Sequence, residues 1–206
     1  MDSSKYTTAY DADGVEITAF GNATVNASSL APVLAALSTD TPPQADAVLA
    51  FNQGYKWGET LFRIGGTLCK AVFTHRHAMR QQPYAYIDRE ISGWEGATAL
   101  GLKVPAYLGA FTVLRPEGYL WNGVLVEFLS GWRNLDPSVA ADDALMRTAI
   151  ADFAAAGARN LDMHAGNVMT DGSDYRVVDL DRMEFGQDPQ AAAAAMTSFY
   201  EDSLNW

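Results

Sequence analysis

The chain has 206 residues, 49% of them hydrophobic and 11% aromatic, enough apolar side chain for one substantial core or two small lobes, which excludes a disordered segment. A formal net charge of −11 argues against a duplex nucleic acid partner, whose phosphates require clustered Lys and Arg, and favours a cationic small molecule or a basic surface. The single cysteine, Cys69, rules out an intramolecular disulfide and a Cys-based zinc site, which makes a reducing cytoplasm the expected compartment.

Met1-Asp2-Ser3-Ser4-Lys5 lacks a basic start followed by an apolar run, and no stretch reaches the roughly 18 apolar residues that cross a bilayer. Neither export nor a membrane partner is expected. Residues 15–20 alternate like a short strand, and Ser28 is placed to cap a helix over residues 30–37 that Thr39-Asp40-Thr41-Pro42-Pro43 would stop. Residues 1–46 carry no evident chemistry and are expected to form an N-terminal extension of unknown role that packs on the neighbouring lobe.

From Ala47 the pattern turns to strands over residues 48–51, 54–58, 60–64 and 67–73, with Gly65-Gly66 as a hairpin signal. Lys70 interrupts the last of these apolar runs. A buried ammonium there needs an anionic partner, because desolvation favours its neutral form; the alternative is a lysine on the solvent face of an edge strand. His75-Arg76-His77 has two histidines at strand spacing but no further metal ligands, and reads as a solvated turn.

Residues 85–100 read as a helix whose core face is Ile87, Ile91, Trp94 and Ala97, although Gly93 and Gly96 each weaken it by about 1 kcal/mol relative to Ala. Residues 107–113 and 123–129 make two further strands around a Pro116-Glu117-Gly118 turn. A second helix over residues 142–156 presents Leu145, Met146, Ala149, Ile150 and Phe153, with Gly157 placed to end it. A third runs from Pro189 to about Ser203, with Asp188 as its cap. No repeat or low-complexity tract interrupts this order.

Between the last two helices lies Leu161-Asp162-Met163-His164-Ala165-Gly166-Asn167-Val168-Met169, then a turn at Asp171-Gly172-Ser173-Asp174, then Tyr175-Arg176-Val177-Val178-Asp179-Leu180-Asp181. A hairpin of this kind would bring the Asp162 carboxylate, the Asn167 amide oxygen and the Asp179 carboxylate to one point. Hard oxygen ligands without Cys or paired His suit Mg²⁺ completed by phosphate and water.

The segment resembles the catalytic loop and metal-binding strand of the protein-kinase-like superfamily, within it the aminoglycoside phosphotransferase and small-molecule kinase branch. That branch typically reads His-Gly-Asp-Leu-His-Pro-Gly-Asn, a short hairpin, then Ile-Asp-Phe-Asp; Asp162, His164, Gly166 and Asn167 are in register with it, as is Val178-Asp179-Leu180-Asp181. Asn160-Leu161 stand where His-Gly is usual, and Ala165 replaces the Pro. The first departure bears on how the loop is braced, since that His packs and bonds beneath it.

The resemblance implies an α+β, bilobal fold: a small lobe of antiparallel sheet plus helix over residues 47–130, and a reduced, mostly helical large lobe over residues 131–206. It implies Mg²⁺-assisted transfer of the γ-phosphate of ATP to a hydroxyl of a small molecule, with Asp162 accepting the hydroxyl proton and Asn167 and Asp179 holding the metal. Lys70 would bind the nucleotide phosphates and Glu90 would pair with Lys70; Glu90 is preferred to Glu95 from its spacing to Leu100-Gly101-Leu102-Lys103-Val104-Pro105.

The turn from Gly54 to Gly58 occupies the place of the nucleotide-covering loop, though its glycine pattern also fits an ordinary hairpin. Leu125-Val126-Glu127-Phe128-Leu129-Ser130-Gly131 resembles the hinge strand, where adenine would bond backbone groups near Glu127 and Leu129; an apolar strand with no ligand is the alternative. No Ala-Pro-Glu element is present, which disfavours protein substrates. Two other functions remain open on the same fold: a pseudokinase-like nucleotide-binding or interaction module, and nucleotidyl transfer.

Overall fold

β-branched and aromatic side chains recur along the strands of residues 6–127, which pair into one antiparallel sheet. The computed structural model describes residues 6–10, 16–20, 46–53, 58–75, 85–114 and 119–205. It divides into two compact units, residues 1–88 with 107–128, and residues 89–106 with 129–206.

The first unit is built on strands β1 (Tyr6–Tyr10), β2 (Glu16–Phe20), β3 (Ala47–Gln53), β4 (Gly58–Ile64), β5 (Thr67–His75), β6 (Tyr107–Leu114) and β7 (Tyr119–Glu127). They form a seven-stranded sheet in the order β1-β2-β6-β7-β5-β4-β3. Register follows the two-residue period: Cys69 pairs with Phe62 on one side and Leu125 on the other, and all three are buried. Two residues on, Ala71 faces Thr60 and Gly123. Gly123 is glycine because the Phe111 ring lies over it; an added Cβ would stand 2.3 Å from that ring.

The Gly65-Gly66 turn forms as its sequence requires. Gly65 adopts φ +57°, where a side chain would be strained, and its N–H donates to Asp46 Oδ2 at 2.6 Å. The N-terminal hairpin extends the sheet beyond β6 through a Glu16↔Leu114 register, and β1 itself was not among the expected strands. The helix expected over residues 30–37, the turn at Pro116-Glu117-Gly118 and positions 76 and 77 lie outside the described residues.

The second unit carries helix α1 (Ala85–Ala99) from Arg89 onward, α2 (Ala140–Ala155) and α3 (Pro189–Ser203). Between them are short strands: β8 (Arg133–Asn134), β10 (Val168–Thr170) and β11 (Tyr175–Val177) in the order β11-β10-β8, and β9 (Ala158–Asn160) paired with β12 (Met183–Phe185). Their core is Met146, Ala149, Ile150, Phe153, Met163, Val168, Val177, Leu180, Met196 and Tyr200, all buried. Asp188 caps α3 as expected, accepting from Ala191 N–H at 2.8 Å. Gly157 ends α2 at φ +70°. Among the described residues no helix is long and apolar enough to cross a membrane.

Paired carboxylates, of which Asp142 is buried, tie these elements together. Asp142, 2% exposed, receives both Nη atoms of Arg133 and the Asp136 N–H. Arg133 holds its carboxyl below the usual range, Arg147 does the same for Asp143, and Lys103 with Arg176 lowers Asp174 strongly. The Tyr200 hydroxyl, buried and bonded to Asp143 at 2.9 Å, is pushed up to about 12.

These carboxylates titrate lower in the folded chain than the value of about 3.9 expected when unfolded, so across that window the unfolded chain binds more protons. Their contribution is complete above about pH 4 and drains away as pH falls through the folded values. The midpoint of thermal unfolding should therefore be clearly lower at pH 3 than at pH 6; equal midpoints in scanning calorimetry would contradict the assignment.

Candidate active site

The loop between β9 and β10 is held at its first residue. Asn160, 1% exposed, closes β9 opposite Met183 of β12 and donates its backbone N–H to the Met196 sulfur on α3 at 3.4 Å. Its side chain works in both directions: Oδ1 accepts the Asp162 N–H at 2.9 Å, and Nδ2 donates to the Asp179 carbonyl at 2.8 Å. Leu161 N–H adds a bond to the Arg182 carbonyl at 3.1 Å. The segment that carries Asp162 is thus stitched to the segment that carries Asp179.

The far end of the loop is a single 3₁₀ turn, Ala165–Asn167. His164 Nδ1 accepts the Gly166 N–H at 3.1 Å, which assigns the neutral imidazole proton to Nε2, and Nε2 stands 3.9 Å from Asp162 Oδ1. A Cβ on Gly166 would come within 2.9 Å of that ring. Asn167 Nδ2 donates to the Asp162 carbonyl at 3.1 Å and reaches Asp162 Oδ2 at 3.4 Å. With Nδ2 spent on Asp162, Oδ1 is the atom Asn167 can offer a cation.

The hairpin closes the sequence gap to Asp179. Val168 pairs with Val177, and Val178 N–H donates to the Asn167 carbonyl at 3.0 Å, so Asp179 follows directly on a residue bonded to Asn167. The turn is fixed by Asp171 Oδ1, which accepts the N–H groups of Ser173 and Asp174, and by Thr170 Oγ1, which donates to the Asp174 carbonyl at 2.7 Å. The expected hairpin is present: Asn167 Nδ2 bonds the Asp162 carbonyl, and the Asn167 carbonyl takes the N–H of Val178, the neighbour of Asp179.

Helix α1 rests on the same segment. An added Cβ at Gly93 would lie 2.0 Å from the Leu180 carbonyl oxygen, and one at Gly96 would lie 2.4 Å from the Phe185 ring. Of the two glycines that cost the helix intrinsic stability, Gly93 is where it approaches the backbone just after Asp179, and Gly96 is where it meets the Phe185 ring. Glu90, one turn earlier on α1, is 1% exposed and accepts the Trp94 indole N–H at 3.2 Å, whereas Glu95 is only partly buried.

The other candidate residues lie mostly in the first unit. Lys70 is half-buried on β5 between Leu61 and Val124, and since β5 is flanked by β4 and β7 it is not on an edge strand. Gly58 opens β4, Glu127 ends β7 with its side chain exposed, and half-buried Leu129 follows in the second unit. Gly54 lies outside the described residues. Sequence reasoning missed Asn160 as a two-sided brace and Gly93 as a contact; the signals were a buried-type amide beside Asp162 and two glycines three apart on one helical face.

Among the described residues no three His, Cys, Asp or Glu side chains are grouped to hold a metal ion. One amide oxygen and one carboxylate do not make a stand-alone cage. They do fit Mg²⁺ that keeps its phosphate and water ligands, since Mg²⁺ is usually held by one or two protein oxygens.

No family model matches the sequence, and no curated protein matches it. Among solved structures, the chain is similar to monomeric WbdD, at 17% identity over 80% of this chain and 42% of that one, with a TM-score of 0.54. It is similar also to WbdD bound to the kinase inhibitor LY294002, at 19% identity over 81% of this chain and 39% of that one, with a TM-score of 0.50. The fold is similar to that of WbdD. WbdD is described as a bifunctional kinase-methyltransferase, and this chain spans about two fifths of the WbdD chains it matches. WaaP in complex with acyl carrier protein is similar at 16% identity over 77% of this chain and 72% of that one, with a TM-score of 0.44. The α+β class and its antiparallel sheets agree with the sequence expectation.

Proposed function

We propose that the chain is an ATP-dependent phosphotransferase acting on a hydroxyl of a small molecule in the cytoplasm. The observation that carries this reading is the bonded cluster of Asp162, Asn167 and Asp179, in which each residue is joined to the next through a hydrogen bond of 3.1 Å or less involving Asn160, Asn167 or Val178. These bonds run to main-chain atoms of Asp162 and Asp179 and fix the stretches of chain that carry the two carboxylates.

Asp162 takes the proton as the acceptor oxygen forms its bond to the γ-phosphorus, while the bond from that phosphorus to the β–γ bridging oxygen breaks and ADP leaves. Asn167 holds the Asp162 main chain through Nδ2, and its Oδ1 with the Asp179 carboxylate would hold the metal. Mg²⁺, when bound, neutralises charge on the phosphates. On this reading Lys70 is the residue that would bind those phosphates, and Glu90 is the carboxylate assigned to balance its charge. Backbone groups near Glu127 and Leu129 would, on the same reading, receive the adenine. The net charge of −11 favours a cationic acceptor.

The test is thermal shift with ATP in the presence and absence of Mg²⁺, followed by ADP release across a panel of neutral and amine-bearing polyols. A Mg²⁺-dependent shift with ADP release is expected. Binding without turnover would assign a nucleotide-binding module instead, and an acceptor that gains a nucleotidyl group by mass would assign nucleotidyl transfer.

A further inference from the structure

We infer that Asn160 is a positioning residue for the phosphotransfer proposed above, acting as a two-ended spacer that sets the proposed base and the proposed metal ligand at a fixed separation. The inference rests on that reading of Asp162 and Asp179. Its physical basis is that one buried amide bonds the main chain of two functional residues that are 17 apart in sequence (179 − 162): the acceptor end takes the Asp162 N–H, the donor end gives to the Asp179 carbonyl.

A buried amide that only filled space would find its partners nearest in the chain. Here one bond is local, over two residues, and the other spans 19. The residue is held through its backbone, by the β9–β12 pairing at Met183 and by the Met196 sulfur that accepts its main-chain N–H, and it is buried to 1% exposure. A planar group fixed in this way transmits position in both directions, and a displacement of either carboxylate by a fraction of an ångström weakens a site that works by placement.

Donor and acceptor ends are not interchangeable. Asn160→Asp keeps the shape and the acceptor for Asp162 N–H but loses the donor and sets an anionic oxygen against the Asp179 carbonyl. Asn160→Ala loses both.

The experiment measures ATP affinity with and without Mg²⁺ for the wild type and both variants, with circular dichroism melts alongside. In Asn160→Asp the factor by which Mg²⁺ tightens ATP binding should fall about tenfold, as for loss of a group orienting a metal ligand, while affinity without Mg²⁺ is unchanged. An unchanged Mg²⁺ factor in a folded variant overturns the inference, and so does an equal loss with and without Mg²⁺, which is what general loosening of the fold would give. Amide hydrogen exchange on the wild type is the second measurement, and it decides the matter if the variants do not fold: the Asp162 N–H should be protected, and fast exchange overturns the brace. If the wild type itself shows no Mg²⁺-dependent binding, the phosphotransferase reading falls and this inference with it; if the wild type binds and Asn160→Asp matches it, this inference falls alone.

Discussion

Asp179→Ala is expected to abolish Mg²⁺-dependent nucleotide turnover, a loss on the order of 10³-fold, while leaving the thermal midpoint near that of the wild type. The magnitude follows from what one preorganised charge-stabilising group contributes when charge redistributes in a transition state. The bond from Asn160 Nδ2 should survive, because the main-chain carbonyl that accepts it remains in alanine. ADP release by coupled assay, with a circular dichroism melt of the same sample, checks both halves. Wild-type turnover in a folded Asp179→Ala protein would refute the metal assignment.

Gly93→Ala should lower stability, although alanine is the better helix former by about 1 kcal/mol. The new Cβ would stand 2.0 Å from the Leu180 carbonyl oxygen, a main-chain atom of a fully buried residue that cannot swing aside as a flexible side chain would. Overpacking of this kind costs typically about 1–3 kcal/mol and here outweighs the helix gain. For a chain of this size the midpoint should fall by roughly 2–4 °C per kcal/mol lost. Because Leu180 follows Asp179, the displacement should also weaken Mg²⁺-dependent ATP binding. Gly96→Ala is the milder control, since the atoms it meets belong to the Phe185 ring, which can turn away. A raised midpoint in Gly93→Ala would show that α1 does not approach Leu180 as described.

The parts of the fold that could be read in the sequence are those with a periodic signal or a stereochemical requirement. Strand β5 and its partner β4 alternate around a Gly-Gly turn that needs φ +57° at Gly65, and α3 begins with an Asp-Pro pair whose geometry suits only a helix start. The loop from Asp162 to Asp179 was legible because polar residues at fixed spacing interrupt two apolar runs. Strands β8, β9 and β12 were not, because two or three residues carry no period, and each exists only through its partner. Strand β1 is Tyr-Thr-Thr-Ala-Tyr, suited to a sheet but without the apolar alternation that would set a face.

The site was legible in its chemistry and hidden in its support. Asn160 stood out as a departure from the small-molecule kinase pattern, a change expected to loosen the loop. The structure shows an amide with both ends engaged, which only coordinates can reveal. Gly93 and Gly96 read as defects in a helix, because propensity is a property of the isolated element and the contact with Leu180 and Phe185 is not.

Cys69 is sealed between Phe62 and Leu125, and burial pushes its thiol well above the ordinary range, so the chain's one native sulfhydryl is sheltered from alkylating reagents. A cysteine introduced at an exposed position such as Ala151 on α2 would then be the sole target of a maleimide dye or spin label, with no need to remove a core residue first.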